Sequence, residues 1–228
     1  MTKLTMIAGV VLGLGLAAGA MAQAPAPNTE MATRIAEARR ANAALMRQYS
    51  WTSRTEIVDK GQVKDIRIDA VTYGPGGGLE RNLLNDQSAP LPFGFIRRKI
   101  AEDERKKIEE YLTGLRGLLE QYTLPTVQKV QEFMDRAKAT GPDASGLFEV
   151  SGNSVVVPGD TFSIWVDPRT RHTRRLTVLT TFQGDQVTVT ATFKTLASGL
   201  NHVAFAEAIV PAKQISVQVQ NFDYNRNN

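Results

Sequence analysis

Val187-Thr188-Val189-Thr190-Ala191-Thr192-Phe193-Lys194 alternates without a break, with apolar or small side chains at odd positions and threonines or lysine at even ones. A period of two is the mark of a β-strand with one face buried and the other in water. Working outward, Gln183-Gly184-Asp185 precedes it as a turn, and Leu176, Val178 and Phe182 share one side of the strand before that. Asp167-Pro168-Arg169-Thr170 reverses the chain again, and ahead of it Phe162, Ile164 and Val166 alternate with Ser163, Trp165 and Asp167. Residues 147–150 and 155–157 read as strands flanking a turn at Ser151-Gly152-Asn153. On the other side, strands follow over 202–210 and 215–223. Connections this short predict an antiparallel meander, because parallel neighbours need crossovers of a dozen or more residues.

The strand over 203–210 departs from half-exposed alternation. Val203, Phe205 and Ile209 oppose Ala204, Ala206, Ala208 and Val210, so both faces are apolar or small and both call for cover. Glu207 interrupts the Phe205 face and reads as a rim position reaching solvent.

Upstream, the period lengthens to that of a helix. Ile96, Ile100, Ile108, Tyr111, Leu112, Leu115, Leu118, Leu119 and Tyr122 form one apolar stripe, with residues 102–107 charged on the outer face. A second helix is expected from Leu124-Pro125, carrying Val127, Val130, Phe133, Met134 and Ala137 to a stop at Gly141-Pro142. The pair separates the meander from an earlier block of strands at 49–57, 63–73 and 79–84. In that block Asp65, Arg67 and Asp69 face away from Ile66, Ile68 and Ala70, which predicts a solvated charged face. An N-terminal helix, capped by Asn28 or Thr29, runs to about Arg47 with Met31, Ile35, Ala38, Leu45 and Met46 along one stripe.

The first residues carry an address. Lys3, an apolar core over 6–20 and Ala20-Met21-Ala22 make residues 1–22 read as a signal peptide cleaved after Ala22, leaving no transmembrane anchor. Residues 23–28 read as a flexible lead-in and 29–228 as one domain. The chain of 228 residues has no cysteine, so an exported product depends on packing and hydrogen bonds alone. Its net charge of +4 bears on solubility more than on partners.

The search for chemistry returns mainly exclusions. His172 and His202 are isolated from other metal ligands, so no metal site and no cofactor is expected. Gly74-Pro75-Gly76-Gly77-Gly78 lacks the Gly-Lys-Ser/Thr ending of a phosphate loop, and neither Ser145 nor Ser198 sits in a nucleophile elbow. No enzyme is expected on these grounds. A hydrolase would have to assemble around His172 or His202 from distant residues. The basic hairpin Arg169, Arg171, His172, Arg174, Arg175 has no interleaved aromatics, which argues against nucleic acid and leaves an anionic surface or a plain solvated turn. Ala89-Pro90-Leu91-Pro92-Phe93-Gly94-Phe95-Ile96 is an apolar loop suited to plug a core or to form the lip of a cavity.

The order of elements, with the Val166-Asp167-Pro168-Arg169-Thr170 turn, the Gly184-Asp185 hairpin and the Ile209-Val210-Pro211-Ala212 step before a last strand, resembles the LolA/LolB-like superfamily. That resemblance implies an α+β fold: a curved antiparallel sheet, or half-barrel, wrapped around inserted helices. It implies a periplasmic, non-enzymatic carrier or sensor of a hydrophobic ligand, with lipid or lipoprotein acyl chains as partners. Phe162, Ile164, Val189, Phe193 and Phe205 are the candidate cavity lining, a simple core being the alternative for the same residues. The alternative function is an envelope structural or interaction protein with an envelope protein partner and no small-molecule ligand.

Overall fold

The computed structural model describes residues 28–88, 95–123 and 126–227. The expected signal peptide, most of the lead-in, the Pro-rich part of the apolar loop at 89–94 and Leu124-Pro125 lie outside the described residues.

Ten strands form one antiparallel sheet: β1 (Tyr49–Asp59), β2 (Gln62–Tyr73), β3 (Leu79–Asp86), β4 (Lys138–Thr140), β5 (Phe148–Asn153), β6 (Thr161–Val166), β7 (Thr173–Phe182), β8 (Asp185–Thr195), β9 (Asn201–Val210) and β10 (Ile215–Arg226). Their order is β3-β2-β1-β10-β9-β8-β7-β6-β5-β4. The meander therefore closes back on the first block through β1 and β10, while β3 and β4 remain unpaired edges and the sheet stays open. Lys60 and Gly61, like Gln183 and Gly184, both have positive φ, the geometry of a two-residue turn that follows the twist of its strands.

Among the described residues three α-helices accompany the sheet: α1 (Asn28–Met46), α2 (Phe95–Gln121) and α3 (Val127–Arg136). The segment bearing α2 and α3 leaves one sheet edge, β3, and arrives at the other, β4, so it must cross the full width of the sheet. Ten strands at ~4.8 Å spacing are roughly 43 Å wide, and 27 helical residues at ~1.5 Å rise are about 40 Å long, so the length of α2 suits the crossing. We call the helix-covered side of the sheet its inner face. There Tyr111, Leu112 and Leu115 of α2 and Val130 and Phe133 of α3 join Ile57, Phe162, Ile164, Val178, Val189, Phe193 and Val217 in one continuous core. At the other end of α1, Met46, Tyr49, Trp51, Val71 and Leu200 make a second, smaller cluster. α1 is pinned to β9 by a reciprocal pair in which Asn42 Nδ2 donates to the Asn201 carbonyl at 2.9 Å and Asn201 N donates to Asn42 Oδ1 at 3.0 Å.

Two boundaries differ from the sequence reading. The second helix stops at Arg136, short of Gly141-Pro142, because Ala137 turns extended and Lys138–Thr140 pairs with Ser151, Val150 and Glu149 as an edge strand. Open backbone groups on β5 outweigh local helical preference. Ser151-Gly152-Asn153 is not a turn: it continues β5, with Gly152 opposite Phe162. A Cβ on Gly152 would lie 2.9 Å from Phe133 Cε2, so the absence of a side chain there lets the Phe133 ring rest on the strand. The reversal comes later, where residues 154–160 fold around Asp160, so that 155–157 form part of this loop and not the expected strand.

Candidate functional site

The stripe Leu112, Leu115 and Leu119 brings α2 down onto Val189 of β8, Ala206 and Ala208 of β9, and Val217 and Val219 of β10. Between them lies an apolar cleft with a cavity volume of about 30 Å³, bordered at one side by Arg116. That space is of the order of one water molecule, so the helix and sheet are in contact along most of the cleft. The alanines matter here because short side chains on β9 leave room for the leucines of α2. A wider, solvent-facing groove of about 360 Å³ lies between α2 and the β7/β8 and β10 ends, lined by Lys107, Glu110, Tyr111, Gln183, Lys213 and their neighbours. Its charged and polar walls offer little to an apolar ligand.

Of the five residues proposed from sequence as cavity lining, Val189 borders the cleft. Phe162, Ile164 and Phe193 share its face and belong to the same core. Phe162 packs edge-on against Phe133 at 5.1 Å between ring centres and stands near Tyr122 at 6.1 Å. Phe205 lies on the opposite face. Thr192 pairs with Phe205 and Phe193 with Val203, so the register slips by one residue between them and β9 holds the extra one. A bulge reverses the parity of every side chain beyond it. Val203 therefore joins Ala206, Ala208 and Val210 on the inner side, and Phe205 keeps company with Glu207 and Ile209 outside. Glu207 Oε1 accepts from Gln218 Nε2 at 2.8 Å on that outer side.

The residues that sequence reasoning missed are Leu112, Leu115 and Leu119 as one wall and Ala206, Ala208, Val217 and Val219 as the other. The sequence reading gave only a strand over 215–223, and the pairing of β10 with β9 places Val217 and Val219 beside the alanines.

The charged face of β2 is turned inward. Asp69 is 1% exposed, and its two oxygens accept from Arg67 Nε at 2.8 and 2.9 Å. The expected solvated face is overturned because β2 pairs with β1 through Asp69 and Ser53, and Ser53 shares its face with Trp51 and Ile57 in the core. Arg81 of β3 approaches the same carboxylate at 3.7 Å. Burial draws the Arg81 pKa below its ordinary value; Asp69 opposes this, while Arg67 and Arg116 add to it by repulsion.

Among the described residues no group of three or more His, Cys, Asp or Glu side chains could hold a metal ion. His172 Nδ1 lies 3.0 Å from Thr195 Oγ1, and His202 Nδ1 lies 3.2 Å from the Val203 carbonyl. Burial lowers the pKa of both rings. Part of the basic hairpin is engaged by its own fold: Arg174 Nη2 donates to Asp167 Oδ2 at 3.1 Å, and the Arg175 guanidinium sits 3.9 Å from the centre of the Trp165 ring, while Arg169 and Arg171 are exposed. No helix among the described residues is long and apolar enough to cross a membrane.

No family model matches the chain, and no curated protein matches it. Solved structures similar to it include a DUF1329 family protein from Desulfovibrio piger, with 9% identity over 87% of this chain and 91% of that one and a TM-score of 0.38. Another is a domain described as that of an outer membrane lipoprotein-sorting protein from Vibrio parahaemolyticus, with 10% identity, coverage of 87% and 93%, and a TM-score of 0.41. A third is a LolA superfamily protein from Nitrosomonas europaea, with 8% identity, coverage of 82% and 91%, and a TM-score of 0.31.

Proposed function

We propose that the chain is an exported, non-enzymatic carrier or sensor of a hydrophobic ligand, a lipid or the acyl chains of a lipoprotein, held between α2 and the sheet. One observation carries this reading: an apolar cleft walled by leucines of a single long helix and by small or branched residues of three strands. Its 30 Å³ corresponds to a closed state, and a ligand enters by lifting α2 from Ala206, Ala208, Val217 and Val219. The helix is suited to this, since its outer face is charged and the leucine stripe is its main hold on the sheet.

In this reading residues 1–22 direct export to the periplasm and are removed after Ala22, and residues 29–228 act as one carrier domain. Sequencing the N-terminus of the exported protein should give Gln23. The carrier role is tested by native mass spectrometry of the protein purified from its own compartment, followed by lipid extraction. Retained lipid is the expected result. A protein that leaves with none, and takes up none from lipid vesicles, is not a carrier.

The near-complete filling of the cleft favours a second reading, an envelope structural or interaction protein with no small-molecule ligand. Crosslinking in the native compartment separates the two: a protein partner captured by a lipid-free chain supports the second.

A further inference from the structure

The inner face of the first block carries polar groups that the fold leaves open. Asn221 of β10, Ser53 of β1 and Asp69 of β2 stand in register across three strands, and Trp51, Val71 and Arg81 form the adjoining row. Ser53 is 0% exposed, Asn221 5%, and the Arg81 side chain 8%. Ser53 Oγ, Trp51 Nε1, Asn221 Oδ1 and both terminal nitrogens of Arg81 have no hydrogen-bond partner among the described residues. The 3.7 Å from Arg81 Nη1 to Asp69 Oδ2 is too long for such a bond, and Asp69 is already engaged by Arg67. The Arg81 guanidinium is thus held beside the Asp69 carboxylate inside the protein with both terminal nitrogens open. Such a charge is strongly disfavoured unless an anion or water completes it.

The row lies at the end of the apolar cleft. Val219, which lines the cleft, is two residues from Asn221 on the same face of β10, and Arg116 borders the cleft while adding its positive field to that of Arg81. Leu83, paired with Asp69 on the edge strand β3, is 50% exposed, so the row opens to solvent at the sheet margin.

We propose that this row receives the anionic head, a carboxylate or a phosphate, of an amphiphile whose chain runs along Val219 and Val217 beneath α2. Arg81 supplies a planar fork matched to two oxygens of such a head, and the Ser53 hydroxyl and Trp51 N–H supply further donors. Asn221 Oδ1 accepts from a hydroxyl or a bridging water. The inference rests on the carrier reading and adds the class of ligand to it.

The test uses the exported protein after delipidation and four probes: palmitate, lysophosphatidate, hexadecanol and inorganic phosphate, with affinities measured by calorimetry. Palmitate or lysophosphatidate should bind about tenfold or more tighter than hexadecanol, the difference expected of a charge-assisted hydrogen bond. Arg81→Gln should abolish that preference while leaving hexadecanol affinity unchanged, and Arg81→Lys should restore part of it. If Arg81→Gln does not fold, Ser53→Ala should still narrow the gap. Which of the two amphiphiles binds tighter distinguishes carboxylate from phosphate. Equal binding of palmitate, lysophosphatidate and hexadecanol overturns the head-group site and leaves the carrier reading standing. Binding of inorganic phosphate as tightly as any amphiphile, lost in Arg81→Gln, makes the row a free-anion site and overturns the amphiphile. No binding of any probe overturns both the site and the carrier.

Discussion

The Tyr122 hydroxyl donates to Asp160 Oδ2 at 2.6 Å, joining the end of α2 to the loop between β5 and β6 deep in the core. The same carboxylate accepts the backbone N–H groups of Val155, Val156 and Val157 at 2.6, 2.8 and 2.7 Å, and the Tyr122 oxygen lies 2.8 Å from Thr180 Oγ1. Asp160 is 1% exposed and makes the loop's geometry as well as the helix's anchor. Whatever freedom α2 has over the cleft, its C-terminal end is the fixed one.

Tyr122→Phe keeps the ring in place and removes the bond to a charged acceptor. The expected loss of stability is about 2 kcal/mol, read from chemical denaturation. A change below about 0.5 kcal/mol, the range of an ordinary surface substitution, would mean the anchor is not formed.

Acid should weaken the fold through four groups, against the smaller set of Asp65 and Glu109, whose carboxyl pKa burial raises. Burial alone would raise the Asp160 pKa, but Tyr122 and the three backbone donors hold it below the ordinary 3.8. At Asp167 burial acts the same way and is outweighed by the Arg169 N–H, Arg174 and Thr170, which bring it down to about 2. A carboxyl depressed on folding stabilises above its unfolded pKa, and that contribution disappears as pH falls through the folded one. His172 and His202, lowered from 6.5 by burial, also make the unfolded chain bind more protons, from near pH 6.5 downward. Denaturation midpoints should therefore decline below pH 6.5 and fall further between about 3.8 and about 2. Asp167→Asn should be less stable than the parent at neutral pH, with the gap closing toward pH 2.

The two faces of the sheet are separable by truncation. Phe162→Ala opens a hole beside Phe133 and Tyr122 and should cost about 3–5 kcal/mol, whereas Phe205→Ala, on the outer face, should cost about 1 kcal/mol or less. Equal losses in thermal denaturation would return Phe205 to the inner side.

Gly152→Ala places a methyl 2.9 Å from the Phe133 ring and should destabilise by about 1–3 kcal/mol through overpacking. In combination with Phe133→Leu the cost should be less than the sum of the two, because both changes act on one contact. Additive losses in urea denaturation would show that the ring does not rest on Gly152.

Alternation by itself identified nearly every strand of the meander and the Gln183-Gly184 turn between β7 and β8, because backbone and side-chain preferences are local and repeat every second residue. It also identified the long apolar stripe that became α2 and pointed to an α+β fold. Long-range pairing settled the rest. Lys138–Thr140 and Ser151–Asn153 became strands through partners distant in sequence, against their own turn and helix signals. One extra residue in β9 exchanged Phe205 for Val203 on the inner face, a reversal that no composition of that strand could announce. The inward-facing Asp69 and Arg67 were decided in the same way, since a charged alternation reads identically whether water or the protein lies on its far side. Sequence determines which positions share a face; which face is buried depends on the strands and helix that arrive to cover it.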